Sequence, residues 1–91
     1  MSAQPIERVT VEAMQDRIAS IDYTVLAGST VTICSITLDN GYSVRGESAC
    51  VDPRAFDEAL GRLLAYEDAF RKLWPLFGFL LAEKRFREGR A

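Results

Sequence analysis

Residues 30–48, TVTICSITLDNGYSVRGES, decide the fold of this chain. The first part of this stretch is rich in Val, Ile and Thr, which favour a strand over a helix. Residues 39–41, Asp-Asn-Gly, then form the strongest turn signal in the sequence. Apolar and polar residues alternate again after the turn. The stretch therefore predicts a β-hairpin.

The alternation also predicts the register of the hairpin. A two-residue Asn-Gly loop would mix apolar and polar side chains on both faces. A three-residue loop, with Gly41 in the left-handed region, pairs Leu38 with Tyr42 and Ile36 with Val44. Because paired residues share a face of the sheet, this register collects the apolar side chains on one side. We therefore predict the three-residue loop, with Tyr42 turned inward beside Leu38.

A long helix is predicted to follow the hairpin, over residues 53–74. Asp52 stands where an N-cap carboxylate would be, and Pro53 suits the first helical position. A wide apolar stripe predicts two packing partners, the sheet and a second helix that Gly61 and the alanines allow to approach closely. The stripe consists of Phe56, Leu60, Leu63, Phe70 and Trp74, and it is widened by Ala59, Tyr66, Ala69 and Leu73. Pro75 ends or kinks this helix, and residues 75–90 form a helical arm.

The N-terminal part of the chain predicts a docking helix. Residues 1–9 are interpreted as a flexible lead-in. Thr10 is a candidate N-cap for a helix over residues 10–20, which carries apolar residues at helical spacing. Residues 21–48 form the sheet, in which residues 21–26 are either a first strand or an extended connector. The fold class is α+β, a small antiparallel sheet packed by helices, in one domain spanning residues 1–91.

Composition limits the classes of function. The 91 residues carry a net charge of −2 and a pI near 5.0, which argues against binding a DNA or RNA polymer. No apolar run reaches the ~20 residues that a membrane helix needs, and the N-terminus does not resemble a signal peptide. A chain that is 48% hydrophobic has more apolar material than so small a globule usually buries. We expect the surplus to be buried between subunits.

The sequence gives little support for a catalytic site or a metal site. The chain has no histidine, and its two cysteines, Cys34 and Cys50, lack the spacing of a zinc site. Cys50 precedes the predicted helix start, where the dipole would favour a thiolate, but no histidine is present to act as its base. We predict no enzyme, no catalytic residue, no metal and no cofactor. A cysteine-dependent enzyme remains an alternative that a Cys50→Ser variant would test.

A set of arginines and aromatic residues is open to two interpretations. Arg54, Arg62 and Arg71 recur with the pitch of the predicted long helix. They are either a solvated flank or, together with the aromatic rings of Tyr42, Phe56 and Tyr66, a site for a ligand with phosphate and a base. Spacing alone does not separate the two interpretations.

Several motifs resemble a known family. They are TLDNGY at residues 37–42, GESACVD at residues 46–52 and KLWPL at residues 72–76. The chain resembles, over about residues 9–81, a family of small phage-encoded proteins that includes the Thoeris anti-defence sponges. Those proteins combine a small sheet with long helices and form oligomers. They sequester cyclic ADP-ribose isomers made by bacterial TIR-domain enzymes, and some also bind cyclic di- or trinucleotides.

The resemblance implies a function that needs no catalytic base. It implies binding of a cyclic ADP-ribose isomer without cleavage, in the cytoplasm of an infected bacterium, by a homo-oligomer that is a dimer or a higher assembly such as a hexamer. Tyr42, Asp52 and Phe56 match motif positions of the family, whereas the arginines are predicted on chemical grounds. The predicted ligand-binding residues are Tyr42, Asp52, Arg54, Phe56, Arg62 and Arg71. The alternative is a non-enzymatic phage accessory protein that acts through protein contacts of residues 73–81.

Overall fold

A computed structural model describes residues 8–89 of the chain. The elements are α1 (Val11–Gln15), β1 (Ile18–Val25), β2 (Val31–Leu38), β3 (Ser43–Ala49), α2 (Glu58–Arg71) and α3 (Leu73–Arg87), with a 3-10 turn at Pro53–Ala55 before α2. The predicted α+β class is confirmed. The strands form one antiparallel sheet in the order β1-β2-β3. Most of the predicted lead-in, and the end of the predicted arm, lie outside the described residues.

The hairpin has the predicted register. The Leu38 N–H donates to the Tyr42 carbonyl at 2.8 Å, and Ile36 lies opposite Val44. Gly41 has a φ of 89°, the left-handed conformation that the three-residue loop requires. The prediction that Tyr42 turns into the core is wrong, because its side chain is 58% exposed. Tyr42 lies just beyond the end of β2, at the edge of the sheet. There the helices cover Leu38 but not Tyr42, which is opposite it.

The N-terminal helix is much shorter than predicted. Thr10 is its N-cap, with its hydroxyl accepting from the Ala13 N–H at 3.1 Å. The helix ends at Gln15, and β1 begins at Ile18, inside the range predicted as helical. β-branched Ile18 and Ile21 pair with Leu38 and Ile36, so sheet pairing overrides the helical spacing. Residues 21–26 therefore belong mostly to a true strand.

The long helix also begins later than predicted. Asp52 accepts from the Arg54 N–H at 3.0 Å, but it caps only the short 3-10 turn. Phe56 is extended, with φ −63° and ψ 123°, and Asp57 is the N-cap of α2. The corner thus uses two acidic caps in succession. Arg54 consequently lies in the corner and not on the flank of the helix.

Small residues make the contact between α2 and the sheet. Ala65 and Ala69 are fully buried, whereas Leu60 and Leu63 of the predicted stripe are half exposed. A Cβ built on Gly46 would lie 2.1 Å from the Ala69 nitrogen, so the helix backbone nearly touches β3. The predicted second helix against the alanines is therefore wrong for the described residues. The alanines of α2 make their close contact with the sheet instead.

The break between the two long helices falls at Lys72, before the proline. Lys72 donates its N–H to the Ala69 carbonyl at 3.0 Å, and α3 begins at Leu73. Pro75 lies in the first turn of α3, where a missing N–H is tolerated. Because it has no N–H, Pro75 also cannot donate to the Arg71 carbonyl and continue the hydrogen bonds of α2. Leu73 and Phe77 anchor α3 in the core that Met14, Ile36 and Leu38 also share.

The described part of the chain is elongated. Its extents are 59 × 26 × 20 Å and its radius of gyration is 17.1 Å, against ~12–13 Å for a compact domain of this length. Large apolar side chains remain exposed along α3, most strongly Phe86 at 77% and Phe79 at 65%. No helix among residues 8–89 is long and apolar enough to span a bilayer.

The buried hydroxyl of Thr32 gives a testable stability effect. Thr32 is fully buried, and among the described side chains its Oγ1 is buried without a hydrogen-bond partner. Thr32→Val keeps the shape of the side chain and removes this hydroxyl, so we expect the free energy of unfolding to rise by about 1 kcal/mol. Thr32→Ser keeps the hydroxyl and should lower stability. Urea unfolding of both variants checks this, and a loss of stability in Thr32→Val would contradict it.

Candidate functional site

A row of aromatic side chains runs along one flank of α2 into α3. Tyr66, Phe70 and Trp74 follow one another at a spacing of four residues, which places them on one face of the helix. The ring centroids of Tyr66 and Phe70 are 5.6 Å apart, and those of Phe70 and Trp74 are 6.4 Å apart with the rings nearly perpendicular. This is the usual geometry of interacting aromatic pairs. The row therefore offers a preformed apolar wall.

The aromatic row is one side of a cleft. Val11 and Gln15 of α1 form the opposite side, and Glu67 and Arg71 lie among the aromatic residues. The volume is about 490 Å³, within the range of small-molecule sites. We refer to this space as the α1–α2 cleft. It combines stacking surfaces, a guanidinium, a carboxylate and an amide.

The charge of Arg71 is held in place by the sheet. Arg71 Nη1 lies 3.0 Å from Asp68 Oδ1, while the other oxygen of Asp68 accepts the Glu47 N–H of β3 at 3.0 Å. That backbone donor lowers the pKa of Asp68, so the carboxylate stays charged beside the guanidinium. The Arg71 side chain is 70% exposed, which leaves donors free to face a ligand anion.

The corner between β3 and α2 is a separate feature. Arg54 binds Asp52 through two side-chain bonds of 3.3 Å, and this guanidinium lowers the pKa of Asp52. Phe56 lines a pocket of about 280 Å³ with Cys50, Leu60 and mostly small or apolar neighbours. Among residues 8–89, no arginine or lysine lines this pocket. The corner thus lacks the anion site that a phosphate would need.

Arg62 and Tyr42 line neither the α1–α2 cleft nor the pocket at the corner. Arg62 bonds Glu58 at 2.6 Å, one turn away on α2, and faces Tyr23 of β1. Tyr42 lies at the far end of the sheet, in an apolar groove of about 260 Å³ with Phe79 and Leu80 of α3. The six predicted ligand residues are therefore divided among the corner, the flank of α2 and the hairpin end. Only Arg71 lies in the α1–α2 cleft.

Comparison with known proteins identifies the family. The model of the phage protein (N4 Gp49/phage Sf6 gene 66) family matches residues 3–85. The chain belongs to this family. No curated protein and no solved structure gives a match to the chain.

Most residues of the cleft in this phage protein were not predicted from the sequence as ligand contacts. Tyr66, Phe70 and Trp74 were predicted as part of the apolar stripe of the long helix, and Tyr66 was also grouped with the arginines. Their spacing of four residues places them on one face, but a shared cleft was not predicted. Tyr66 and Phe70 do pack against the edge of the core and are half buried, as expected of the stripe. They lie at the flank of α2 because the alanines pack more closely on the sheet than any ring could. Val11 and Gln15 gave no signal, because their place beside α2 depends on where α1 ends and β1 begins.

Proposed function

We propose that this phage protein is a sponge that binds a cyclic ADP-ribose isomer, or a related cyclic di- or trinucleotide, without cleaving it, and thereby suppresses Thoeris-type bacterial immunity. The α1–α2 cleft is the observation that carries the proposal. An adenine ring can stack on Tyr66, Phe70 or Trp74, since stacking on aromatic rings is a common way to hold a base. Membership of a phage protein family is consistent with a role against host defence.

The polar groups of the cleft match the rest of such a ligand. Arg71 can donate to phosphate oxygens in a charge-assisted bond, which is stronger than a neutral one. Glu67 can accept from ribose hydroxyls, and Gln15 can donate or accept at the base edge. One arginine is a small counter-charge for a pyrophosphate. We propose that a second subunit supplies further donors, which makes the site an inter-subunit pocket of a homo-oligomer.

Sequestration requires tight binding and no chemistry. A sponge lowers free signal only if its sites outnumber the signal and its dissociation constant lies well below the signal concentration; ~−12 kcal/mol corresponds to nanomolar affinity. Closure of a second subunit over an open cleft would bury the phosphates and strengthen their bonds to arginine. The proposal therefore ties affinity to assembly and assigns no catalytic role to any residue.

A panel of nucleotides tests the proposal. Pure protein is heated with cyclic ADP-ribose isomers and cyclic di- and trinucleotides, with linear ADP-ribose as a control. A ligand at 100 times its dissociation constant adds ~2.7 kcal/mol to the stability of the folded state, which is ~10 °C or more in Tm for a domain of this size. We expect such a shift with at least one cyclic compound and a smaller one with the linear control. The proposal fails if no cyclic nucleotide raises Tm at millimolar concentration.

A second candidate function has its own observation. Phe79 and Phe86 expose most of their side chains on α3, which is unusual for a protein without a partner. An accessory protein that binds another protein through this arm would give no response to nucleotides. Phe79→Ser would then abolish its effect on phage growth, whereas a nucleotide sponge would lose that effect with Arg71→Ala.

A further inference from the structure

The two edges of the sheet differ in how their backbone groups are satisfied. At the β3 edge, α2 closes the strand: Asp68 accepts the Glu47 N–H, and the Lys72 ammonium donates to the Arg45 carbonyl. These are the groups that point away from β2, because the Leu38–Tyr42 bond fixes which residues of β3 face inward. A further strand cannot be added at β3 without breaking these bonds.

The β1 edge remains open. The Leu26 N–H bonds the Val31 carbonyl at 2.9 Å, so the alternation of the ladder turns the backbone groups of Asp22 and Thr24 toward β2. The N–H and C=O groups of Ile21, Tyr23 and Val25 therefore point outward. None of the hydrogen bonds described within residues 8–89 reaches them. Open edges of this length are templates for pairing with another strand.

The exposed side chains of β1 lie on one face. Ile21, Tyr23 and Val25 lie opposite Ile36, Cys34 and Thr32, on the face that α2 covers above β2 and β3. Yet α2 does not extend over β1, and these side chains remain 39%, 41% and 39% exposed. Asp22 is the only charge in the strand. Natural edge strands usually carry lysine, proline or a bulge at their centre to prevent pairing, and residues 20–25 carry none of these.

We propose that β1 pairs antiparallel with β1 of a second copy, about a two-fold axis at Tyr23, to give a continuous sheet across two subunits. This register sets Ile21 opposite the partner's Val25 and Asp22 opposite the partner's Thr24. An axis at Asp22 would oppose two carboxylates, which destabilises a pair. An axis at Ile21 would extend pairing into the shift of register between Ile18 and Ser20. The residue pattern of β1 therefore favours pairing with β1 of a second copy, with the two-fold axis at Tyr23.

The pairing also brings the second subunit toward the ligand side of α2. Partial burial raises the pKa of the Tyr23 phenol, and Tyr66 and Arg62 of α2 are near enough to make smaller contributions. A copy paired at Tyr23 therefore lies beside the flank of α2 that begins the α1–α2 cleft. The inference specifies the assembly on which the proposed function rests. Its test uses no ligand, so a failure of the pairing and a failure of nucleotide binding give different results.

Sedimentation of matched lysine variants tests the pairing. We expect the wild-type protein to sediment at twice its 10.1 kDa mass or a multiple of that. Tyr23→Lys sets two ammonium groups beside each other at the axis and should weaken association at least 100-fold. Thr24→Lys is the control, because it places the same charge opposite the partner's Asp22 and should leave association intact. A monomeric wild-type protein, or equal association of both variants, would overturn the proposal.

A cross-linking pair tests the register even if Tyr23→Lys fails to fold. Directly opposed residues of a hydrogen-bonded pair have Cα atoms ~5.5 Å apart, which a disulfide can bridge. Both native thiols are first removed, because Cys34 lies directly opposite Tyr23 on β2 and could form an internal disulfide with a cysteine there. In this Cys34→Ala, Cys50→Ser background, Tyr23→Cys should form a disulfide-linked dimer under mild oxidation. Ile21→Cys should not, because its copies lie ~13 Å apart along the paired strands. Cross-linking of Ile21→Cys in place of Tyr23→Cys would refute the axis at Tyr23.

Discussion

Gly46→Ala is expected to destabilise this phage protein strongly. A methyl group at residue 46 would lie 2.1 Å from the Ala69 nitrogen and 2.5 Å from the Ala65 carbonyl oxygen. Both contacts are helix backbone, which cannot rotate away as a long side chain could. The whole of α2 would have to lift from the sheet, uncovering Cys34, Ile36 and their neighbours. We expect a loss of about 3 kcal/mol, at the upper end for overpacking.

Gly78→Ala is the matched control for this prediction. Gly78 is an exposed helical glycine of α3, and no atom lies within 4 Å of the Cβ that would be added. Alanine favours helix over glycine by about 1 kcal/mol, so this variant should be as stable as the wild type or more stable. Urea unfolding followed by circular dichroism compares the two. Wild-type stability in Gly46→Ala would show that α2 does not pack on β3 as described.

Arg71→Ala is expected to have the largest effect on ligand binding. If Arg71 binds a phosphate of the cyclic nucleotide, removing its charge-assisted bonds should cost about 1.5–3 kcal/mol, or roughly 10- to 150-fold in dissociation constant. Stability should change little, because the Arg71–Asp68 pair is at the surface. Isothermal titration calorimetry with the cyclic nucleotide gives both the affinity and the stoichiometry.

Arg87→Ala is the matched control for Arg71→Ala. Arg87 is also an exposed helical arginine paired with an acidic residue, Glu83 at 3.2 Å, but it lies at the far end of α3. This variant should bind with wild-type affinity. Equal losses in both variants would point to general electrostatic attraction. An unchanged affinity in Arg71→Ala would remove the α1–α2 cleft from the account.

The sequence predicts the local parts of this fold better than the helix boundaries. The hairpin register followed from alternation and a single turn, because a shift of one residue would have exposed every apolar side chain. The start of α2 could not be predicted in this way, since Asp52-Pro53 and Asp57 are both adequate caps, and the extended backbone of Phe56 separates them. Likewise, the helical spacing around Ile18 was real, but pairing with Leu38 outweighed it.

The candidate site was harder to predict for a related reason. Which side of a helix faces the sheet depends on how closely the backbones approach, and here Gly46 lets Ala65 and Ala69 occupy the contact. The larger aromatic residues are displaced to the flank as a consequence. A motif match placed Tyr42 and Asp52 in the site, yet Tyr42 lies in the groove at the hairpin end and Asp52 is engaged by Arg54. Whether residues form a pocket depends on the distances between separate elements, and these distances cannot be read from the sequence.

The recovery of intact ligand tests sequestration most directly. The protein is incubated with a cyclic ADP-ribose isomer, freed of unbound nucleotide by gel filtration, heated to unfold it, and the released material is identified by mass spectrometry. The account predicts that the same cyclic compound returns unchanged, in proportion to the protein. Release of a linear or hydrolysed product would show an enzyme, and the absence of any nucleotide would show that this protein is not a sponge.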